Sequence, residues 1–154
     1  MERSHLWHTA FKTNLFVLER NLPGLTDELI RHRPADGVAA PGWILGHVLR
    51  SRQLVLKLLG QPQPEDATLA CYGRGSTGGE CDHRLEDLLA RLTATSGLLK
   101  AALQAADWER TALNPAIQKE QPLEQVVAFL YMHESYHLGQ FGLARKLLGL
   151  PGVI

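Results

Sequence analysis

PLEQVVAFLYMHESYHLGQFGLARKLLG, residues 122–149, reads as one long helix. Pro122 suits a first turn, where its fixed φ helps and its missing N–H costs nothing. Glu124 lies at the positive end of the helix dipole, and Arg145 and Lys146 lie at the negative end before Gly149. The row Val126, Leu130, His133, His137, Gln140, Ala144, Leu147 is spaced by alternating fours and threes, the seam that a bundle helix turns inward. Two imidazoles and an amide interrupt that apolar row. A single core histidine is usually a structural residue with its hydrogen bonds met. A pair at i and i+4 is different, because both rings project from one face at the spacing a metal ion uses in helical sites.

Working outward, three more stretches repeat apolar residues at helical spacing, and none alternates cleanly as a strand would. The first runs from Ser4, read as an N-cap, to Asn21, with Trp7, Phe11 and Leu18 on one stripe and Pro23-Gly24 ending it. Thr26-Asp27-Glu28 caps a short extra turn before Pro34. The second begins near Pro41 and stops at Gly60. The third follows Asp82, read as its N-cap, and continues to about Asp107 with Leu85, Leu88, Leu92, Leu99 and Leu103 as its stripe. The fold class is all-α, a single domain over residues 1–154. Asn14, a polar insertion in the first stripe, reads as a residue that fixes helix register.

Sixteen basic and sixteen acidic side chains give zero net charge, and 45% of the residues are hydrophobic. That is the composition of an ordinary globular domain able to bury a proper core. Nucleic acid is discounted, since Arg50, Arg52, Lys57, Arg145 and Lys146 are scattered rather than gathered into a basic face. The first five residues lack the apolar core of a signal peptide and no apolar run is long enough for a bilayer, so a cytoplasmic protein with no membrane partner is expected. Cys71 and Cys81 are then expected as free thiols, bridged only if the loop between them folds back.

His133-Glu134-Ser135-Tyr136-His137 spells HExxH, in which zinc peptidases use the two histidines as ligands and the glutamate as general base. A zincin takes its third ligand downstream from Glu, Asp or His, and none follows His137. The peptidase reading is therefore weak, and the third ligand is sought upstream at His47, in Trp43-Ile44-Leu45-Gly46-His47. Alone, His47 is a core or interfacial histidine; opposite an inward HxxxH on another helix it becomes a ligand candidate. Gly46 beside it permits close approach of a neighbouring helix. His5 and His8 stand in a fraying first turn, while His32 and His83 lie in polar surroundings at element ends.

These residues carry a family likeness. Trp43-Ile44-Leu45-Gly46-His47, His133-Glu134-Ser135-Tyr136-His137-Leu138-Gly139-Gln140 and Arg145-Lys146-Leu147-Leu148-Gly149 together resemble the DinB/YfiT-like metalloenzymes over the whole chain. The resemblance implies an up-down-down-up four-helix bundle, a metal held by the positions matching His47, His133 and His137, and frequently a homodimer. The ion is implied to be nickel or zinc, with iron or manganese as further options; imidazole ligands by themselves do not choose among such ions. Some relatives are transferases or isomerases that use a low-molecular-weight thiol. Where the family commonly shows two arginines before the final Leu and Gly, this chain has Arg145 and Lys146.

The ligand set has its own chemistry. Three neutral imidazoles leave the ion's charge uncompensated and a coordination position open, as in catalytic rather than structural sites. Such an ion acidifies a water or a thiol bound to it, so hydrolysis and thiol transfer both stay open. Two functions are thus in view: a metal-dependent enzyme acting on a small molecule, with a low-molecular-weight thiol S-transferase as one form of it, and a non-catalytic metal or small-ligand binding protein of a stress response. Gln140 is a candidate to orient a ligand or the bound water, against ordinary packing and hydrogen bonding. Glu134 is a candidate proton relay or a solvated carboxylate. The run Gly73-Arg74-Gly75-Ser76-Thr77-Gly78 matches GxGxxG but lacks the strand–helix context of dinucleotide binding and is rejected; it reads first as a plain solvent loop, with a cover over the metal mouth or a place at a dimer edge as the alternatives.

Overall fold

Each of the four expected helices forms, and the computed structural model describes residues 2–63, 66–76, 78 and 81–153. In chain order the elements are α1 (Arg3–Arg20), α2 (Asp27–Arg31), α3 (Pro41–Leu58), a 3-10 helix (Ala67–Tyr72), α4 (Leu85–Ala105), β1 (Thr111–Asn114), β2 (Lys119–Pro122) and α5 (Leu123–Leu147). The fold is mostly helical. Among the described residues, α3 packs on α4 and α5, and α1 packs on the same two helices. None of these helices is long and apolar enough to cross a bilayer.

Starts and stops follow local chemistry where it is local. Thr26 Oγ1 accepts from Leu29 N–H at 3.2 Å and caps α2, as its sequence suggests. Two other caps lie elsewhere than expected. Helix α1 begins at Arg3, and Ser4 is inside it and buried rather than capping it. Helix α4 begins at Leu85, and its first N–H is taken by Asp27 Oδ1 from α2 at 2.8 Å. A carboxylate so far away in sequence displaces the local candidate Asp82. That backbone bond, together with Arg84, holds the Asp27 carboxyl below its ordinary range.

The interior is layered. One apolar cluster gathers Leu18, Ile44, Leu45, Leu88, Leu92 and Phe141. A second gathers Phe11, Leu56, Leu99, Leu103, Val126 and Leu130. Between them in all four long helices comes a polar position: Asn14 in α1, Arg52 in α3, Thr95 and Ser96 in α4, Glu134 and Ser135 in α5. Such a layer is stable only if its members satisfy one another. Arg52 gives Glu134 two bonds of 2.8 Å and the Phe11 carbonyl one of 3.0 Å, and it also bonds Ser96 Oγ. Asn14 Nδ2 reaches Ser135 Oγ at 3.1 Å, which fits its reading as a register residue. Arg52 is thus an interior cross-link rather than one of the scattered surface cations. Arg145 is also buried and donates to the carbonyls of Asn21, Pro23 and Pro151.

Two expectations are overturned in the connections. A two-stranded antiparallel hairpin pairs Thr111 with Pro122 and Asn114 with Lys119, so the chain is not free of strand. Each strand has only four residues, too short for alternation to stand out, and only Ala112 and Asn114 of β1 are buried. Cys71 and Cys81 are bridged, their Cα atoms 5.6 Å apart, because the 3-10 helix and the loop after it fold back on themselves. Of the GxGxxG run, Thr77 lies outside the described residues.

Candidate metal centre

Helix α3 presents His47 and helix α5 presents His133 and His137 to a common point. His133 Nε2 lies 3.3 Å from His47 Nε2 and 3.2 Å from His137 Nε2. Among the described residues this is the group of three or more His, Cys, Asp or Glu side chains whose donor atoms converge, all within 4.8 Å of one another.

The opposite ring nitrogens show why Nε2 is the free one. His47 Nδ1 donates to the Tyr72 main-chain oxygen at 2.7 Å; a carbonyl only accepts, so the hydrogen is on Nδ1. His137 Nδ1 donates to Gln140 Oε1 at 2.7 Å, and Gln140 Nε2 in turn donates to the Tyr136 hydroxyl at 3.1 Å. His133 Nδ1 meets Ser51 Oγ at 3.3 Å. Each ring therefore has a partner behind it that fixes its orientation, the arrangement found behind metal-binding histidines. A hydrogen on His133 Nε2 would satisfy one neighbouring lone pair and leave the other facing it. A divalent cation satisfies all three. In a tetrahedral zinc site, bonds of about 2.0–2.1 Å place adjacent nitrogens roughly 3.3–3.4 Å apart, so the residues fit such an ion.

Electrostatics favour neutral rings. Burial, followed by the neighbouring His47 and His133, pulls His137 down from 6.5 to about 4. Burial also lowers His47, against the opposing effect of the Tyr72 carbonyl, and lowers His133, helped by His47. All three offer lone pairs at neutral pH.

The surroundings correct several expectations. Glu134 is neither solvated nor turned to the histidines: it is 1% exposed, and both carboxylate oxygens are bonded to Arg52. Gln140 is brought into the centre, as the partner of His137. Gly46 does admit a close neighbour, but that neighbour is the Tyr72 ring from the 3-10 helix, which occupies the space a Cβ would need. The glycine-rich loop is not a plain solvent loop. Ser76 Oγ accepts from Trp43 Nε1 at 2.7 Å, and the Trp43 ring stacks on His47 with centroids 4.6 Å apart and planes 12° from parallel.

Ser51 and Tyr72 are therefore contributors that sequence reasoning did not single out, and Trp43, quoted there only within the run that ends at His47, gains a stacking role that was not foreseen. Trp43 and Ser51 stand four residues either side of His47, on its helical face, a signal that was available. Tyr72 contributes its main chain, for which side-chain identity gives no signal. His83, read as an unremarkable polar residue, holds the Tyr72 hydroxyl at 3.0 Å through Nδ1.

A family model described as the DinB superfamily matches residues 10–141, a span that includes His47, His133 and His137. The chain belongs to the DinB superfamily. Metal binding is common in that superfamily, and here the three histidines form a group able to hold an ion. No curated protein matches the chain, and no solved structure does. Within this DinB chain the match ends at Phe141, before the buried Arg145 that anchors the carboxyl end of α5.

Proposed function

We propose that this DinB protein holds one nickel or zinc ion on His47, His133 and His137 and uses it to transfer a low-molecular-weight thiol to a small electrophile. The observation that carries the metal is the convergence of three imidazoles, with His133 Nε2 3.3 Å from His47 Nε2 and 3.2 Å from His137 Nε2, and a hydrogen-bond partner behind each ring. When bound, the ion supplies Lewis acidity and lowers the pKa of a group it holds. The protein's part is to fix the rings, to keep them neutral and to leave one side open. Tyr136, 60% exposed, sets its ring edge-on to His137 with centroids 5.3 Å apart. Its hydroxyl accepts from Gln140 Nε2 and so steadies the amide behind His137.

The locked Glu134 argues against peptidase-type hydrolysis, since the carboxylate that would act as general base in HExxH is engaged by Arg52. A thiol, with a pKa of about 8.5, ionises near neutrality without such a base. The order in which the helices cross the layers supports the up-down-down-up bundle: α1 and α5 pass from the Leu18–Phe141 cluster to the Phe11–Leu130 cluster with falling residue number, α3 and α4 with rising number. A homodimer is part of the same proposal.

The test is a turnover assay on metal-loaded protein with a panel of low-molecular-weight thiols and a generic electrophile. A metal-dependent rate that disappears in His133→Ala supports the transferase. Stoichiometric metal with no rate for any thiol leaves a metal-binding protein and sinks the transferase.

A further inference from the structure

Two contacts steady His47 from outside its own helix turn, and both come from the segment that begins at Cys71. The Tyr72 carbonyl accepts the His47 Nδ1 hydrogen at 2.7 Å. Ser76 receives the Trp43 indole N–H at 2.7 Å, and Trp43 is the ring stacked on His47. Ser76 Oγ also bonds the Cys71 carbonyl, tying the two contacts to one point. On the far side of the loop, Gly78 lies against the Trp43 ring so closely that a Cβ there would collide with it. Two residues past Cys81, His83 bonds the Tyr72 hydroxyl at 3.0 Å and Thr68 Oγ1 at 3.1 Å. The Cys71–Cys81 bridge joins the ends of this segment, ten residues apart in sequence.

The bridge is also approachable. Cys81 lines a cavity of about 160 Å³ bounded by Trp43, Tyr72, Arg31 and Arg33. Two guanidiniums at this cavity favour an attacking group that is anionic, which a thiolate is.

We propose that Cys71–Cys81 is a thiol–disulfide exchange site whose redox state sets how tightly the three-histidine centre holds its metal. The proposal rests on the metal reading above. The reductant is a dithiol. Its thiolate attacks Cys81 Sγ, a mixed disulfide forms, and Cys71 Sγ leaves as a thiolate and takes a proton. The second thiol of the reductant then displaces Cys81 Sγ and closes its own disulfide, so the protein gains two electrons and two protons. With the ring open, no cross-link closes the loop that carries Tyr72 and Ser76, and hydrogen bonds such as those of His83 and Ser76 alone hold its ends together. His47 then loses part of the support that fixes its ring and tautomer, a loss that in metal sites weakens affinity by about 10–100-fold.

The experiment measures zinc affinity by competition with a chromophoric chelator, comparing the oxidised untagged chain with Cys71→Ser/Cys81→Ser, and helix content by circular dichroism. The expected result is one equivalent of zinc in each, bound about 10–100-fold more weakly by the double variant, with helix content unchanged. Equal affinities overturn the proposal and leave the metal centre standing. No zinc on the oxidised wild type overturns the metal centre itself, and this proposal with it. If the double variant does not fold, wild type reduced on an immobilised dithiol resin and separated from it replaces that variant: weaker binding supports the proposal, equal or tighter binding overturns it.

Discussion

Arg52 and Glu134 form a bidentate ion pair, both bonds 2.8 Å, with side chains only 4% and 1% exposed. Because Arg52 also bonds Phe11 O and Ser96 Oγ, one guanidinium ties α1, α3, α4 and α5 together at the level of the polar layer. His133 is the neighbour of Glu134 in sequence, and Ser51 the neighbour of Arg52. The pair thereby sets the register of α3 against α5 on which the histidine cluster depends.

Glu134→Gln leaves a buried guanidinium without its counter-charge. Removing one partner of a buried pair costs about 3–5 kcal/mol, so urea unfolding should shift to markedly lower midpoint. Were Glu134 a peptidase-type base, the same change would spare stability and abolish only turnover. An unaltered unfolding midpoint in Glu134→Gln contradicts the structural role assigned here.

Gln140→Ala removes the acceptor behind His137. Metal affinity should fall about 10–100-fold, measured by chelator competition. Gln140→Glu, which keeps an oxygen in place, should recover most of it. A loss of equal size in both variants would point to packing rather than to the hydrogen bond.

Acid should destabilise the metal-free protein through the same histidines. Folded His137 stays neutral down to about 4, whereas in the unfolded chain it takes a proton near 6.5. Between those values the unfolded state binds more protons, so stability is present above pH 6.5 and is lost as pH falls towards 4. At about 1.4 kcal/mol per unit, His137 accounts for up to roughly 3 kcal/mol, and the lowered His47 and His133 act in the same direction. Chemical denaturation at a series of pH values checks this. His137→Asn should flatten the dependence, and an unchanged slope would contradict it.

Gly46→Ala puts a methyl group where the Tyr72 ring lies. Overpacking of this kind costs about 1–3 kcal/mol. Since Tyr72 also holds His47, the variant should lose metal affinity as well as thermal stability. Wild-type affinity in a destabilised Gly46→Ala would separate the Tyr72 ring from the support of His47.

What the sequence displays best is periodic. The seam Val126, Leu130, His133, His137 repeats at helical spacing, and both histidines do turn inward beside His47. Long-range partners leave no such mark. Asp27 caps α4 from another element, Glu134 is claimed by an arginine on another helix, and Tyr72 acts through a carbonyl that every residue possesses. The hairpin strands are too short to show a period, and the disulfide depends on a loop whose path no local pattern records.

The central claim is the metal, and metal analysis of untagged protein tests it most directly. The wild type should carry one equivalent of nickel or zinc per chain, and His47→Ala, His133→Ala and His137→Ala should each lose it while keeping their helix content. Full occupancy in His47→Ala, or a wild type that binds neither ion after loading, would contradict the three-histidine centre.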